Sequence, residues 1–129
     1  MKGYLLDTSF ALIALSTPEA LSSRVRRAIE QGPGFLSVVA YWEVMIKSMR
    51  GTLDVGDPRD WFGHALDALG LRTLLYRPEH VAALFSLPPV HQDPFDRALI
   101  AQATVEDLTL LTTDATVSKY GSAAFRAIR

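Results

Sequence analysis

Short continuous apolar runs alternate along this chain with longer stretches whose apolar residues return every three or four positions. Tyr4-Leu5-Leu6, Phe35-Leu36-Ser37-Val38, Leu71 to Tyr76 and Leu108 to Thr113 have the length of strands, and their near-continuous apolar character suits a sheet covered on both faces. Between them the period is helical. From about Val39 to Arg50, Trp42, Met45, Ile46 and Met49 recur at i, i+3, i+4 and i+7, which predicts a helix with that stripe on its apolar side.

Polar punctuation sets the ends of these elements. A first helical segment runs from about Ser9 to Leu15. Thr17-Pro18-Glu19 reads as a cap with proline at the first helical position, opening a helix to about Gln31. Gly32-Pro33-Gly34 breaks it, and Gly51 stops the helix after the second strand. Asp57-Pro58 caps a helix to about Leu69, and Arg77-Pro78-Glu79 opens one to about Ser86. Asp93-Pro94 caps a helix to about Glu106, with Phe95, Leu99, Ile100 and Ala103 on its apolar side. A short helix around 116–120 and an edge strand near 125–128 complete the reading. Strands alternating with helices imply right-handed crossovers and a mainly parallel sheet of four to five strands. No repeat, low-complexity tract or linker divides the 129 residues, so 1–129 is expected to be one domain.

Composition narrows the function classes. The chain is 49% hydrophobic with a mean hydropathy of +0.15, apolar for its size, which favours a doubly covered sheet and leaves material for an apolar partner surface. A formal net charge of −1 excludes a bulk polycation, so nucleic acid would have to be met by a local patch or a metal. The absence of cysteine excludes disulfides, zinc–thiolate sites and thiol nucleophiles. Lys2 before Tyr4-Leu5-Leu6 has the start of a signal peptide, but Asp7 interrupts the run and Ser9 to Leu15 is too short to span a bilayer. A cytoplasmic protein without a membrane segment is expected.

The candidate chemistry lies in four acids. Asp7 ends the first apolar run, and Asp114 ends Leu110-Leu111-Thr112-Thr113. Glu43 falls just inside the helix after the second run, and Asp96 in the first turn of the helix opened by Asp93-Pro94. With parallel strands, all four carboxylates come to the carboxyl edge of one sheet, where open α/β folds bind ligands. Such a cluster needs a cation, and an all-oxygen set without histidine or cysteine points to Mg²⁺ or Mn²⁺ and to phosphate chemistry.

Each acid also has an ordinary structural role. Asp7 and Asp114 suit helix caps, and Glu43 with Lys47 and Arg50 has the spacing of a solvated helix face. Asp93 is the better cap of its pair, which leaves Asp96 freer for chemistry. His64, His80 and His91 lack ligand spacing and read as surface or packing residues. Trp42 and Trp61 read as core rather than base-stacking platforms, and Arg24, Arg26 and Arg27 as an exposed helix face. No Walker loop, nucleophile elbow or dinucleotide fingerprint is present.

Several segments together resemble PIN-domain nucleases, in particular VapC-type toxins of bacterial toxin–antitoxin pairs. They are Leu5-Leu6-Asp7-Thr8, Trp42-Glu43-Val44 through Lys47 to Gly51, and His91-Gln92-Asp93-Pro94-Phe95-Asp96-Arg97 with Leu99-Ile100-Ala101-Gln102-Ala103. Leu110-Leu111-Thr112-Thr113-Asp114 and Lys119-Tyr120-Gly121 follow. The resemblance spans nearly the whole chain, and the run from Asp93 to Ala103 is its most specific element. It implies a three-layer α/β/α sandwich and RNA cleavage dependent on one or two Mg²⁺ or Mn²⁺ ions. Its acidic quartet falls on Asp7, Glu43, Asp96 and Asp114. Asp93, Thr8 and Thr112 are candidates for caps or for supporting the ligands, and Arg97, Lys47 and Arg50 for contacting RNA phosphates. The implied partners are RNA, a cognate antitoxin and a second copy of the chain. The sequence departs from close relatives at Ser9, where histidine is frequent, and at Thr113, where arginine is frequent.

The reaction expected is metal-assisted phosphodiester hydrolysis, with Arg97 available to developing charge. A phospho-acceptor domain would want an acidic pair after the first strand and an aspartate after the third. Here Asp7 stands beside Thr8, and the third run ends at Tyr76-Arg77. A non-catalytic binding module of the same fold would have no need of all four acids, and a DNA-directed nuclease would use the same quartet.

Overall fold

The computed structural model describes residues 3–88, 93–113 and 126–128, the last as backbone only. The strands are β1 (Tyr4–Leu6), β2 (Gly34–Ser37), β3 (Arg72–Leu74), β4 (Thr109–Leu111) and β5 (Arg126–Ile128). They form one sheet in the order β3-β2-β1-β4-β5, and every neighbouring pair is parallel. The chain builds outward from β1 through β2 to β3, then returns to β1's other side for β4. The order therefore reverses between β1 and β4, which opens a crevice at their carboxyl ends.

The helices are α1 (Thr8–Ser16), α2 (Ser23–Gln31), α3 (Val38–Met49), α4 (Pro58–Leu69), α5 (Pro78–Ala83) and α6 (Pro94–Glu106). Side-chain alternation on β1 divides them into two layers. Leu6, in register with Leu36 and Leu111, packs with Phe10 of α1, Val25 and Ala28 of α2, Ala40 and Val44 of α3, and Trp61 and Ala65 of α4. Leu5, in register with Phe35 and Leu110, faces Leu99, Ile100 and Ala103 of α6. Leu5 and Leu6 are both fully buried, each burial contributing about 2 kcal/mol. The sheet is thus sandwiched between helices, as the three-layer α/β/α reading expects.

Local chemistry explains the sharpest boundaries. Asp57 and Asp93 cap α4 and α6 with proline next in line, so both helices begin at the predicted residue. The long helix expected from Thr17 to Gln31 is instead two pieces. A single 3₁₀ turn, Pro18–Ala20, ends at extended Leu21, and α2 restarts at Ser22, whose Oγ accepts from the Val25 N–H at 3.2 Å. A serine cap inside the segment competes with helix continuation there. The short helix near 116–120 and Asp114 lie outside the described residues.

The stripe on α3 is a second departure. Val39, Ala40, Glu43 and Val44 form its buried face, whereas Trp42 is 54% exposed and Met49 is more exposed still. Trp61 is core as expected, but Trp42 is not. The helix starts directly from β2, with the Ser37 Oγ accepting from the Val39 N–H at 2.9 Å, so the strand dictates its rotation. An acid turned inward outweighs the apolar period because Lys47 supplies its counter-charge.

Candidate active site

Asp7 immediately follows β1 beside the crevice. Its Oδ1 accepts from the Phe10 N–H at 2.7 Å, capping α1, and its Oδ2 accepts from the Thr112 hydroxyl just beyond β4. The Asp7 N–H donates to the Leu111 carbonyl at 3.0 Å. The cap role expected of Asp7 is present, and the carboxylate is buried with both its oxygens held in place by the two central strands and α1. Thr112, one of three residues expected from sequence to cap or support the ligands, donates this hydrogen bond. Thr8 is also buried, and its hydroxyl has no hydrogen-bond partner among the described residues.

Glu43 lies in the second turn of α3 and is only 4% exposed. The expected i,i+4 pair forms, with Lys47 Nζ 2.7 Å from Glu43 Oε2, but only its lysine faces solvent. Glu43 Oε1 is buried with no partner among the described residues. A buried carboxylate oxygen without a donor carries a desolvation cost that a bound cation would offset. The Lys47 ammonium is held above its usual pKa, first by the hydrogen bond it donates to Glu43, with burial opposing and the charges of Glu43, Asp93 and Asp96 reinforcing. Those last two influences put the start of α6 within electrostatic reach of α3.

Aromatic packing ties the same two helices together. Trp42 meets Phe95 edge to face, with ring centroids 4.8 Å apart and planes at 78°. Each ring adjoins a candidate acid, Glu43 or Asp96, in sequence. Asp93 caps α6 through Oδ1, accepting from the Phe95 N–H at 2.8 Å and the Asp96 N–H at 3.1 Å. Asp96 sits half-buried in the first turn. Arg97, a candidate phosphate contact, donates to the carbonyls of Pro88 at 3.0 Å and Leu84 at 3.4 Å, securing the segment before α6. Arg50 is exposed at the end of α3.

Gln102 is a residue whose importance the sequence did not disclose. It is fully buried on α6, where its Oε1 accepts from the Ser37 hydroxyl at 2.6 Å and its Nε2 donates to the Leu75 carbonyl at 3.2 Å. One amide thereby joins α6 to the ends of β2 and β3, and through Ser37 to the start of α3. A buried polar residue in an otherwise apolar helix face was the available signal. His80 is the buried packing residue expected, accepting from the Arg77 N–H at 2.9 Å and pairing with Glu106 at 2.7 Å; His64 is exposed, and His91 lies outside the described residues.

Among the described residues, no three acids, histidines or cysteines are gathered closely enough to hold a metal ion. Asp7, Glu43 and Asp96 share the carboxyl side of the sheet, and the fourth acid, Asp114, falls beyond the described part of the β4 edge. The donor chemistry fits a hard divalent cation: oxygen groups throughout, with Thr8 Oγ1 and Glu43 Oε1 buried and without a partner among the described residues.

Known folds agree with this architecture. The DNA-bound VapBC structure from Salmonella typhimurium superposes with a TM-score of 0.72 at 12% identity, covering 99% of this chain and 98% of that one. VapBC2 from Rickettsia felis, bound to a promoter DNA fragment, gives 0.69 at 13% identity over 96% and 97%. VapBC-5 from Mycobacterium tuberculosis gives 0.63 at 19% identity over 100% and 99%. No curated protein matches the chain. The family model for the PIN domain matches residues 4–122, from the first strand past the last candidate acid, and the chain accordingly belongs to the PIN domain family of nucleases.

Proposed function

We propose that this chain is the toxin of a toxin–antitoxin pair, an endoribonuclease that hydrolyses RNA phosphodiester bonds with one or two Mg²⁺ or Mn²⁺ ions and so arrests translation in the cytoplasm. Asp7, Glu43, Asp96 and Asp114 would hold the metal. The observation that carries the reading is Glu43, a carboxylate buried at the ligand edge of a PIN fold with one oxygen left unpartnered among the described residues. When bound, the cation would polarise the scissile phosphate and make the attacking water more acidic. The chain's own part is placement. Thr112 and the Phe10 N–H orient Asp7, Lys47 holds one oxygen of Glu43, and the Asp93 cap fixes the turn that carries Asp96.

The partner surfaces follow from apolar area left uncovered. Leu12 and Leu15 of α1, Leu53, Val55 and Trp61 line a cavity of about 340 Å³, together with Ser16, Asp54 and His64. Its apolar lining suits one face of an amphipathic antitoxin helix. The solved relatives above are themselves toxin–antitoxin complexes. Trp42 and Met49 on the outside of α3 are a candidate face for a homodimer.

The decisive experiment is RNA-end mapping with purified, antitoxin-free chain in Mg²⁺, alongside EDTA and Asp7→Asn controls. Cleavage is expected in Mg²⁺ alone. Equal cleavage by Asp7→Asn, or cleavage that survives EDTA, would sink the metal-nuclease reading. Sedimentation of a clean monomer at tens of micromolar, with no retained partner from the native host, would sink the partner assignment.

A further inference from the structure

The ion pair inside the candidate site suggests a role for Lys47 other than the phosphate contact expected from sequence. Its ammonium lies 2.7 Å from Glu43 Oε2, the partner side chain is 5% exposed, and Lys47 itself remains 44% exposed. The charges of Asp93 and Asp96 act on the same ammonium. A flexible lysine therefore brings a single positive charge into the region where the nuclease reading places a divalent one.

We propose that Lys47 is the resident counter-ion of this site, a positioning residue that balances and holds Glu43 when no metal is bound and shares that carboxylate with the metal when one is. This inference rests on the metal reading above. It follows from two features of the pair. One oxygen of Glu43 is engaged by Lys47, and the other is buried without a partner among the described residues. Lysine suits the task because its ammonium is a point charge on a movable stem, able to withdraw toward solvent without disturbing the helix. Lys47 and the metal then perform the same neutralisation, so each lowers the need for the other. By linkage their effects are antagonistic.

The sign of that coupling separates this role from simple orientation. Losing a group that only orients a ligand weakens metal binding. Losing a competing counter-ion strengthens it, while the metal-free protein becomes less stable. The test compares the intact chain with Lys47→Met and Lys47→Arg, without RNA, by Mg²⁺ calorimetry and by melting with and without Mg²⁺. Lys47→Met is expected to bind Mg²⁺ about two- to fivefold more tightly, the scale of an ion pair open to solvent on one side. It should also melt lower without metal and gain more Tm on adding Mg²⁺. Lys47→Arg should behave as the unaltered chain, and in a Glu43→Gln background Lys47→Met should have a smaller effect, since only the charges of Asp93 and Asp96 remain to act on the ammonium. Lys47→Gln makes the same comparison if the methionine variant fails to fold. Unchanged or weaker Mg²⁺ binding by the charge-free variants would overturn the counter-ion role while leaving the metal site standing. Failure of the unaltered chain to bind Mg²⁺ or Mn²⁺ would overturn the metal reading and this inference with it.

Discussion

Residues 57–60 and 93–96 are nearly the same tetrapeptide, Asp-Pro-Arg-Asp and Asp-Pro-Phe-Asp, and each starts a helix. In both, the first aspartate caps the helix and the second sits in its first turn. Their surroundings differ completely. At the start of α4 both acids are exposed, and Arg59 doubles back onto Asp57, with Nη2 2.7 Å from Oδ2. At the start of α6 the intervening residue is Phe95, which packs against Trp42 and draws the turn against α3. Asp93 and Asp96 are half-buried there, on the side of the sheet that also carries Asp7 and Glu43. The same local chemistry is a solvated helix start in one place and part of a candidate active site in the other. Tertiary position decides which.

The largest effect is expected from removing the matching charge from each turn. Asp96→Asn is expected to reduce RNA cleavage in Mg²⁺ by at least about 100-fold, as loss of a group stabilising transition-state charge does. Asp60→Asn should leave the rate unchanged. Near-normal cleavage by Asp96→Asn, or a comparable loss in Asp60→Asn, would erase the distinction.

The next effect concerns what holds α6 in place. Gln102→Leu strips the Leu75 carbonyl of its donor and Ser37 of its acceptor, at a cost of about 2 kcal/mol in chemical denaturation. Ser48→Ala, at a buried hydroxyl with no partner among the described residues, should cost far less. Equal denaturation midpoints for the two variants would show that the amide bridge contributes nothing.

A smaller loss is expected from the cap. Asp93→Ala removes the acceptor for two N–H groups at the start of α6 and should cost about 1 kcal/mol, read as a fall in Tm. Because the same turn carries Asp96, its Mg²⁺ affinity should fall too. A Tm loss with unchanged affinity would make the cap purely structural.

The smallest effect is electrostatic and belongs to α4. Hydrogen bonds from the Arg59 side chain, then from its backbone N–H, hold the Asp57 carboxyl down to about 2 from its ordinary 3.8. A depressed folded value means the contribution is complete above 3.8 and is lost as pH falls toward 2. In Arg59→Gln, NMR titration of Asp57 should show its pKa moving back toward the ordinary value, with cleavage unaffected at neutral pH. An unmoved titration would remove the Arg59 contact from the account.

Much of this molecule was legible because short-range chemistry governs it. Asp-Pro caps placed the starts of α4 and α6, and apolar runs separated by helical periods announced a parallel sheet. The division of the Thr17–Gln31 segment was missed because the Ser22 cap competes locally with a good helix period. The rotation of α3 was missed for a different reason. Periodicity favoured Trp42 and Met49 as the inner stripe, but the strand feeding the helix and the Lys47 counter-charge turned Glu43 inward instead.

By itself the sequence determined the order of elements, their caps and the residue types available for a cation, since each depends on neighbours a few positions apart. Which acids are buried and which are solvated depends on long-range packing. Asp7 meets Thr112 across 105 positions and Ser37 meets Gln102 across 65, distances over which no local rule operates. Burial and partnership depend on which surfaces the sheet brings together, and so the two Asp-Pro-X-Asp turns could be told apart only once α3 and α6 were packed.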